Sequence, residues 1–257
     1  MMIRSLAALA AVTVFAPASF GGVIALDARV GAGEGRDFAS NVQFATMRQT
    51  LEDMGHTVVG VTSYDADTLA GVDVLLTREA FRAADQFTQQ DADDIAAFNA
   101  SGGGVGYFAD GGFDSNGLIG TNNLVANALG ADLVGNAFAP NGLLLTGFVD
   151  HPVTAGIDEW GLDFVRRVDA LPGSIDLTID GGQSDLLVAR DGVGGAGNAF
   201  VMGDVSWLQD GIADFPLSSV DNLAAFGNVV DYLLIPAPNA LACFGVVGAT
   251  ALRRRRA

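Results

Sequence analysis

Residues 97–110 read AFNASGGGVGYFAD and join the end of a helix to a buried strand. The stretch Thr88–Asn99 begins with capping residues and carries an apolar face, which predicts a helix. Glycines 102–104 end this helix. Val105–Ala109 is an apolar run of strand length, and it stops at Asp110. A helix that passes so directly into a strand is typical of an α/β domain, in which helices and strands pack as separate layers.

The same alternation continues on both sides of this unit. Apolar runs of strand length recur, separated by segments long enough for a helix, and this order favours a mostly parallel sheet with helices on both faces. The predicted strands are Val23–Asp27, Thr57–Val61, Val72–Leu76, Val105–Ala109 and Asn198–Met202, with shorter strands between Leu143 and Val188. The predicted helices are Phe38–Met54, Thr88–Asn99, Leu118–Leu129 and Asp221–Leu234.

Length and composition limit the class of protein. The chain has 257 residues, of which 50% are apolar and 17% are charged. This is enough for one large α/β domain or two small ones, and it is too apolar for a disordered chain.

The charge is distributed unevenly along the chain. All 13 basic residues are arginine, and five of them lie at the two ends, at Arg4 and at 253–256. All 30 acidic residues lie between Asp27 and Asp231, so the middle of the chain is more acidic than the net charge of −17 indicates. Such a surface repels phosphate groups, which argues against nucleic acid or an anionic membrane as a partner of the body.

The first residues have the layout of a secretory signal peptide. Arg4 gives a positive start, an apolar run covers Leu6–Phe15, and small residues follow up to Gly22. The run is too short for a helix that spans a membrane. We therefore expect export through the Sec translocon with removal of residues 1–21, and a buried N-terminal helix is the alternative.

The last residues form a tripartite tail. Pro236-Ala237-Pro238 precedes the apolar stretch Leu241–Leu252, and the block Arg253, Arg254, Arg255 and Arg256 follows. This tail resembles the PEP-CTERM sorting signal of Gram-negative bacteria in its Pro-Ala-Pro variant, with Ala237 where the family name has Glu. The resemblance implies transient anchoring in the inner membrane, cleavage by an exosortase and release to the cell surface or extracellular matrix. An amphipathic C-terminal helix is the alternative, but Leu241–Leu252 offers no polar face.

The single cysteine, Cys243, lies inside this tail. The body that precedes the tail therefore has no thiol for a disulfide, for a cysteine-based metal site or for a cysteine nucleophile.

Three segments of the body resemble the class I glutamine amidotransferase-like superfamily, and in particular its ThuA-like branch. They are residues 97–110, the turn His151-Pro-Val-Thr-Ala-Gly-Ile157, and Phe200-Val-Met-Gly-Asp-Val-Ser-Trp-Leu208 with Asp221-Asn222. The resemblance implies a flavodoxin-like three-layer α/β/α sandwich with a mostly parallel sheet. The resulting organisation is a signal peptide at 1–21, one α/β domain at 22–234 and a sorting tail at 235–257.

The resemblance also bears on catalysis. Active amidotransferases carry a cysteine at the sharp turn, or elbow, after the fourth strand, and Asp110 occupies that position here. A carboxylate cannot form the thioester that glutamine hydrolysis requires. The chain has two histidines: His56 precedes a strand at the far edge, and His151 belongs to a turn. We therefore expect a catalytically degenerate domain, and the alternative is an extracellular hydrolase or carbohydrate-modifying enzyme that uses Asp110 with Asp204 or Glu79.

Other chemistries find little support in the sequence. No Gly-x-Ser-x-Gly occurs, since Ser206 lacks the second glycine. The segment around Asp114 is rich in oxygen ligands but is not an EF-hand, so calcium there stays open. Gly192–Gly197 precedes a strand and contains no lysine, which predicts a hairpin loop instead of a phosphate site. We expect neither a cofactor nor a metal.

Ligands of open α/β sheets bind beyond the carboxyl ends of the strands. This rule predicts a site for a polar small molecule or a sugar, although solvated loop ends have the same composition. We expect extracellular polysaccharide as the ligand class, or otherwise a structural role. The candidate ligand-binding residues are Arg29, Arg78, Glu79, Asp110, Asp204 and Ser206.

Overall fold

The structure is a computed structural model that describes residues 21–29, 37–110, 117–138, 142–179, 186–211 and 214–235. The predicted signal peptide before Gly21, the tail from Pro236 onward and the segment around Asp114 lie outside the described residues.

The described residues form eleven strands and four α-helices. The strands are β1 Val23–Asp27, β2 Thr57–Val61, β3 Val74–Arg78, β4 Gly104–Phe108, β5 Ala131–Phe138, β6 Leu143–Leu145, β7 Trp160–Leu162, β8 Arg166–Ala170, β9 Ile175–Asp176, β10 Leu187–Arg190 and β11 Ala199–Met202. The helices are α1 Ala45–Asp53, α2 Gln89–Ala100, α3 Ile119–Ala128 and α4 Asn222–Leu234.

The central sheet has seven strands in the order β2-β1-β3-β4-β11-β10-β9. The first five are parallel, and β10 and β9 continue the sheet in antiparallel pairing. The parallel part has the flavodoxin-like strand order. The prediction of a mostly parallel sheet is therefore confirmed. We call the edge where β1, β3, β4 and β11 end the carboxyl edge, and the opposite edge the amino edge.

Two hydrophobic cores hold helices against the two faces of this sheet. One core joins α1 and α4 to the sheet and includes Phe108, Phe200 and Trp207. The other joins α2 and α3 to the opposite face and includes Tyr64 and Tyr107. Buried strand residues alternate between these cores, as the two-fold repeat of a strand dictates. The predicted three-layer sandwich is therefore present.

The remaining strands lie between α3 and β9 in the chain. Strand β5 pairs antiparallel with β8, and β6 pairs antiparallel with β7. The first pair contributes Leu133 and Val168 to the core under α3, and the second contributes Leu145 and Trp160 to the core under α4. The prediction of short strands in this part of the chain is confirmed.

The predicted start of the first helix is wrong. Asp37 accepts hydrogen bonds from the backbone and hydroxyl of Ser40, and the Asn41 side chain accepts from the Gln43 amide at 2.8 Å. Such local side-chain bonds compete with a helix for the same backbone groups. A turn and a 3-10 segment therefore replace the first residues, and α1 begins at Ala45.

The glycines that end α2 allow a close packing of three segments at the amino edge. A Cβ atom on Gly197 would lie 2.1 Å from the Gly103 carbonyl oxygen. The Asn99 amide donates to the carbonyl oxygens of Gly103, Gly197 and Asn198, and its oxygen accepts from Arg190. The predicted loop at 192–197 does connect two antiparallel strands, β10 and β11.

Among the described residues, no helix combines the length and the apolar character that crossing a membrane requires.

Replacing Asn99 tests whether its hydrogen bonds hold the three segments at the amino edge together, a role that we call the Asn99 anchor. We expect Asn99→Ala to lower the free energy of unfolding by roughly 2–4 kcal/mol, because buried carbonyl groups lose their donor and Arg190 loses one of its two acceptors. Urea denaturation measures the change. Asn127→Ala, on the exposed side of α3, is the control and should change stability by less than about 0.5 kcal/mol. Equal effects of the two substitutions would contradict the anchoring role.

Candidate functional site

The carboxyl edge gathers polar side chains from four parallel strands. Asp27 ends β1, Arg78 ends β3 and Glu79 follows it, Asp110 lies two residues beyond β4, and Asp204 lies two residues beyond β11. All five are at most 4% exposed. Buried charged groups must be paired or change their protonation, so their partners decide what this edge can do.

Asp27 and Arg29 form one cluster at this edge. The Arg29 guanidinium contacts the Asp27 carboxylate at 2.8 Å. The Cζ atom of Arg29 lies 4.0 Å from the Phe87 ring centroid. Thr77 donates a hydrogen bond of 2.9 Å to the same carboxylate. Burial acts to raise the pKa of Asp27, but the charge and hydrogen bonds of Arg29 outweigh it, so that the pKa lies below its usual value. Arg29 therefore compensates the buried charge at the end of β1.

Arg78 lies between this cluster and the elbow. Its Nη1 atom donates to the Glu79 carbonyl oxygen at 3.2 Å, and its guanidinium lies over the Phe81 ring at 4.8 Å. Within the described part of the chain, its buried Nε atom makes no hydrogen bond. Burial lowers the pKa of Arg78. This guanidinium retains a donor for a further partner.

The second cluster, which we call the elbow cluster, consists of Glu79, Asp110, Arg166 and Asp204. The Glu79 amide donates to the Phe108 carbonyl oxygen at 2.9 Å, which fixes the end of β3 beside the elbow. The Arg166 Nε atom donates to the Asp110 carbonyl oxygen at 2.9 Å and lies 4.0 Å from Glu79 Oε2. Arg166 is 2% exposed. A buried cation thus stands between the elbow backbone and a buried acid.

Gly203 allows Arg166 to reach this position. The Arg166 amide donates to the Gly203 carbonyl oxygen at 2.7 Å. A Cβ atom on Gly203 would lie 1.8 Å from the Arg166 carbonyl oxygen, so no larger residue fits without moving one of the two backbones. The start of β8 is therefore held against the end of β11.

Asp204 supports the backbone of two neighbouring segments. Its carboxylate accepts hydrogen bonds from the amides of Asp163 at 2.8 Å and of Ser206 at 2.6 Å. Ser206 is 3% exposed and starts a 3-10 turn. Burial, reinforced by the negative charge of Asp110, raises the pKa of Asp204 to about 7. The carboxyl group is therefore partly protonated at neutral pH.

Glu79 is shifted in the same direction. Burial and the nearby Asp110 raise its pKa well above the usual value, although Arg166 and the Asp110 backbone act against the shift. Its Oε2 atom is buried without a hydrogen bond in the described part of the chain. Glu79 therefore keeps its proton to a higher pH than an exposed glutamate does.

Both histidines lie at the amino edge. His56 precedes β2, and its Nδ1 atom accepts from the Gly22 amide at 3.1 Å. The His151 ring packs against Tyr232 with centroids 4.9 Å apart, and its Nε2 atom lies 3.6 Å from Asp191, just after β10. Within the described residues, the elbow therefore has no histidine to activate a nucleophile. Nor do the residues described contain a group of three or more His, Cys, Asp or Glu arranged to hold a metal ion.

The structure places Glu79, Asp110 and Asp204 at the same edge of the sheet, with Arg78 next to Glu79. Arg29 belongs to the separate Asp27 cluster, and Ser206 contributes its backbone amide to Asp204. Whether these residues bind a ligand stays a prediction.

Sequence reasoning missed Arg166 and Asp163. Arg166 and Val168 lie on the same, buried side of β8. A charged residue is rare at such a position, and this is the sequence signal that could have identified Arg166. Asp163 donates its amide to Asp204, and its Oδ1 atom is buried without a hydrogen bond among the described residues.

The strand order defines an α/β domain with the flavodoxin-like fold, and solved structures share this fold. The mmIFT52 N-terminal domain is 14% identical, with a TM-score of 0.61 over 83% of this chain and 97% of its own. A cytoplasmic protein from Salmonella typhimurium LT2 is 15% identical, with a TM-score of 0.59 over 82% of this chain and 98% of its own. A ThuA-like protein from Bacteroides uniformis is 13% identical, with a TM-score of 0.50 over 83% of this chain and 91% of its own.

The sequence matches no family model and no curated protein. At such low identity the structural similarity establishes the fold alone. The body has the α/β fold of ThuA-like proteins, as the sequence predicted.

The raised pKa of Glu79 predicts a pH dependence of stability. Its folded-state pKa lies above the unfolded value near 4.5, so the folded protein binds more protons and loses stability as the pH rises above that value. Each pH unit in this window costs up to about 1.4 kcal/mol. Glu79→Gln removes the titrating group, so its free energy of unfolding should fall less steeply between pH 5 and about 8.

Urea denaturation across this pH range measures both curves. Glu159→Gln, at an exposed position, is the control and should follow the wild-type curve. The same slope for Glu79→Gln and the wild type would refute a protonated Glu79.

Proposed function

We propose that this chain is an exported, exosortase-sorted bacterial surface or extracellular-matrix protein with a catalytically degenerate amidotransferase-like domain. The signal-peptide and tail patterns of the sequence support export and sorting, and the observation that carries the degenerate domain is the elbow itself. Asp110 occupies the nucleophile position, is 1% exposed, and has its backbone bound by Arg166. A buried carboxylate without a histidine beside it is suited to shape the edge of a sheet and unsuited to form an acyl intermediate.

The ends of the body support a tether on the side opposite the elbow. A Cβ atom on Gly22 would lie 2.6 Å from Leu234 Cδ2, so the start of β1 and the end of α4 meet at the amino edge. A leader and a tail attached there leave from one side of the domain. A body anchored in this way directs its carboxyl edge away from the membrane.

The polar atoms at the carboxyl edge support a neutral ligand. Arg78 Nε and Glu79 Oε2 are buried without hydrogen bonds among the described residues, and together they offer a donor and an acceptor. The acidic body disfavours an anionic ligand. Hydroxyl groups both donate and accept, so a neutral extracellular polysaccharide fits these atoms better than a phosphate or a carboxylate.

One observation favours the second candidate, an extracellular hydrolase or carbohydrate-modifying enzyme. Glu79 and Asp204 have raised pKa values next to Asp110. Neighbouring carboxyl groups in different protonation states are the arrangement that acid/base chemistry uses. In this reading Asp110 acts as the base or nucleophile, and Glu79 or Asp204 supplies a proton.

A panel of neutral glycans distinguishes the two candidates. We expect the wild type to bind a member of the panel without cleaving it, and Asp110→Asn to bind with an affinity within about threefold, because asparagine is nearly isosteric with aspartate. Calorimetry measures binding, and product analysis measures turnover. Asp150→Asn, at an exposed site, is the control. Cleavage by the wild type and the control but not by Asp110→Asn would establish the enzyme instead.

The tail has its own test. Mass spectrometry of the protein released from the native cells should find no peptide containing Arg253–Arg256, because cleavage removes the tail. Replacing both Pro236 and Pro238 by alanine should retain the tail and reduce release, whereas the same replacement at Pro140 should not. Released protein that keeps its terminal arginines would overturn the sorting proposal.

A further inference from the structure

In the layer formed by α2 and α3, one connection between parallel strands lacks a helix, so one helix position is vacant. α1 connects β1 to β2, and α2 connects β3 to β4. The connection from β2 to β3, residues 62–73, is fully described and consists of turns and bends without a helix. The vacant position lies beside α2, over the part of the sheet that this connection crosses.

A groove of about 660 Å³ occupies this position. Leu69 and Ala70 line one wall, and Ala97 and Phe98 of α2 line the other. Tyr64, whose hydroxyl bonds to Thr77 near the end of β3, lies toward the carboxyl edge. Gly103 and Leu234 line the amino-edge end. The lining is mostly apolar, with Asp73 and Asp94 among its polar members.

We propose that the apolar tail segment Leu241–Leu252 occupies this groove in the exported, uncleaved chain whenever the segment is outside the membrane. The docked segment lies between the 62–73 connection and α2 and covers apolar surface on both partners. The proposal deepens the proposed function, because it takes this segment as the anchor that cleavage later removes. It adds a regulatory step: the body shields its own anchor until membrane or protease competes for it.

Continuity and length support this occupant. Leu233 and Leu234, the last residues of α4, line the groove, so the tail begins at its amino-edge end. The linker formed by residues 235–240 has six residues, enough for the chain to reverse direction. Leu241–Leu252 has the same number of residues as α2, which as a helix corresponds to about 18 Å.

Residue size supports a close fit. The segment contains Gly245 and Gly248 together with several alanines. The facing walls present Ala70, Ala97 and the glycines 102–103. Small residues on both sides let a helix approach closely, so that a shallow groove can cover one face of it.

Charge sets the direction of the docked segment. A tail that enters at the amino edge runs toward the carboxyl edge, antiparallel to α2. Its end, Arg253–Arg256, then lies near the first turns of α2, where Asp91, Asp93 and Asp94 are located. Opposite charges meet in this orientation, whereas the parallel orientation would leave the arginine block at the amino edge.

The native Cys243 gives a direct test, because it is the chain's one cysteine. It lies early in the segment, so the antiparallel orientation places it near the amino-edge end of the groove. Ala97→Cys introduces a thiol on that part of the groove wall. Ala66→Cys introduces one toward the opposite end, and Gln49→Cys introduces one on the exposed side of α1, on the other face of the sheet.

Mild oxidation of each full-length variant in detergent-free buffer should crosslink Ala97→Cys within the monomer at least roughly tenfold faster than Gln49→Cys, because docking raises the effective thiol concentration. Ala66→Cys should react more slowly than Ala97→Cys. Adding Asp94→Arg to Ala97→Cys should slow the reaction. Non-reducing electrophoresis and peptide mass spectrometry identify the bond.

Three results would overturn the proposal. The first is equal crosslinking rates for Ala97→Cys and Gln49→Cys. The second is disulfides formed only between chains, which would indicate a second copy in the groove. The third is recovery of the full chain only with membranes. The crosslink needs neither export nor cleavage. A crosslink without tail removal in native cells would refute the sorting role alone, and tail removal without a crosslink would refute the docking alone.

Discussion

Complete burial of β4 is the constraint on which the rest of the structure depends. Every residue from Gly104 to Phe108 is buried, because helices cover both faces of the sheet at this strand. The backbone polar groups of such a strand must find partners in neighbouring strands, which β3 and β11 provide. The side chains that follow these three strands consequently emerge together at the carboxyl edge while they are still surrounded by protein.

The elbow cluster shows the electrostatic consequence of this burial. Burial and the neighbouring charge of Asp110 raise the pKa values of Glu79 and Asp204. Arg166 supplies one positive charge from β8, and Asp204 is held by two backbone amides. The same arrangement could stabilise a neutral ligand or arrange a proton donor beside Asp110, which is why the proposed glycan experiment separates binding from turnover.

The two edges of the sheet suit different tasks. The amino edge holds both ends of the body, the Asn99 anchor and one end of the groove, and a tether of the proposed kind would start there. The carboxyl edge holds the buried charges. Because strands of a parallel sheet all start at one edge and end at the other, a tether and a ligand site on one such domain can be kept apart without a second domain.

Much of the fold could be predicted from the sequence, since the apolar runs and the glycines that end helices are local signals. The order of strands and helices, the Thr88 cap and the hairpin after Arg190 follow from such signals. The start of α1 could not be predicted in this way, because the side chains of Asp37 and Asn41 accept hydrogen bonds from backbone groups that a helix would otherwise use. The sequence by itself also determined the uneven charge, the body without a thiol and Asp110 at the elbow. Only the tertiary structure decided that Arg166 stands beside Glu79 and that a helix position is vacant beside α2, because both depend on segments far apart in the chain that only packing brings together.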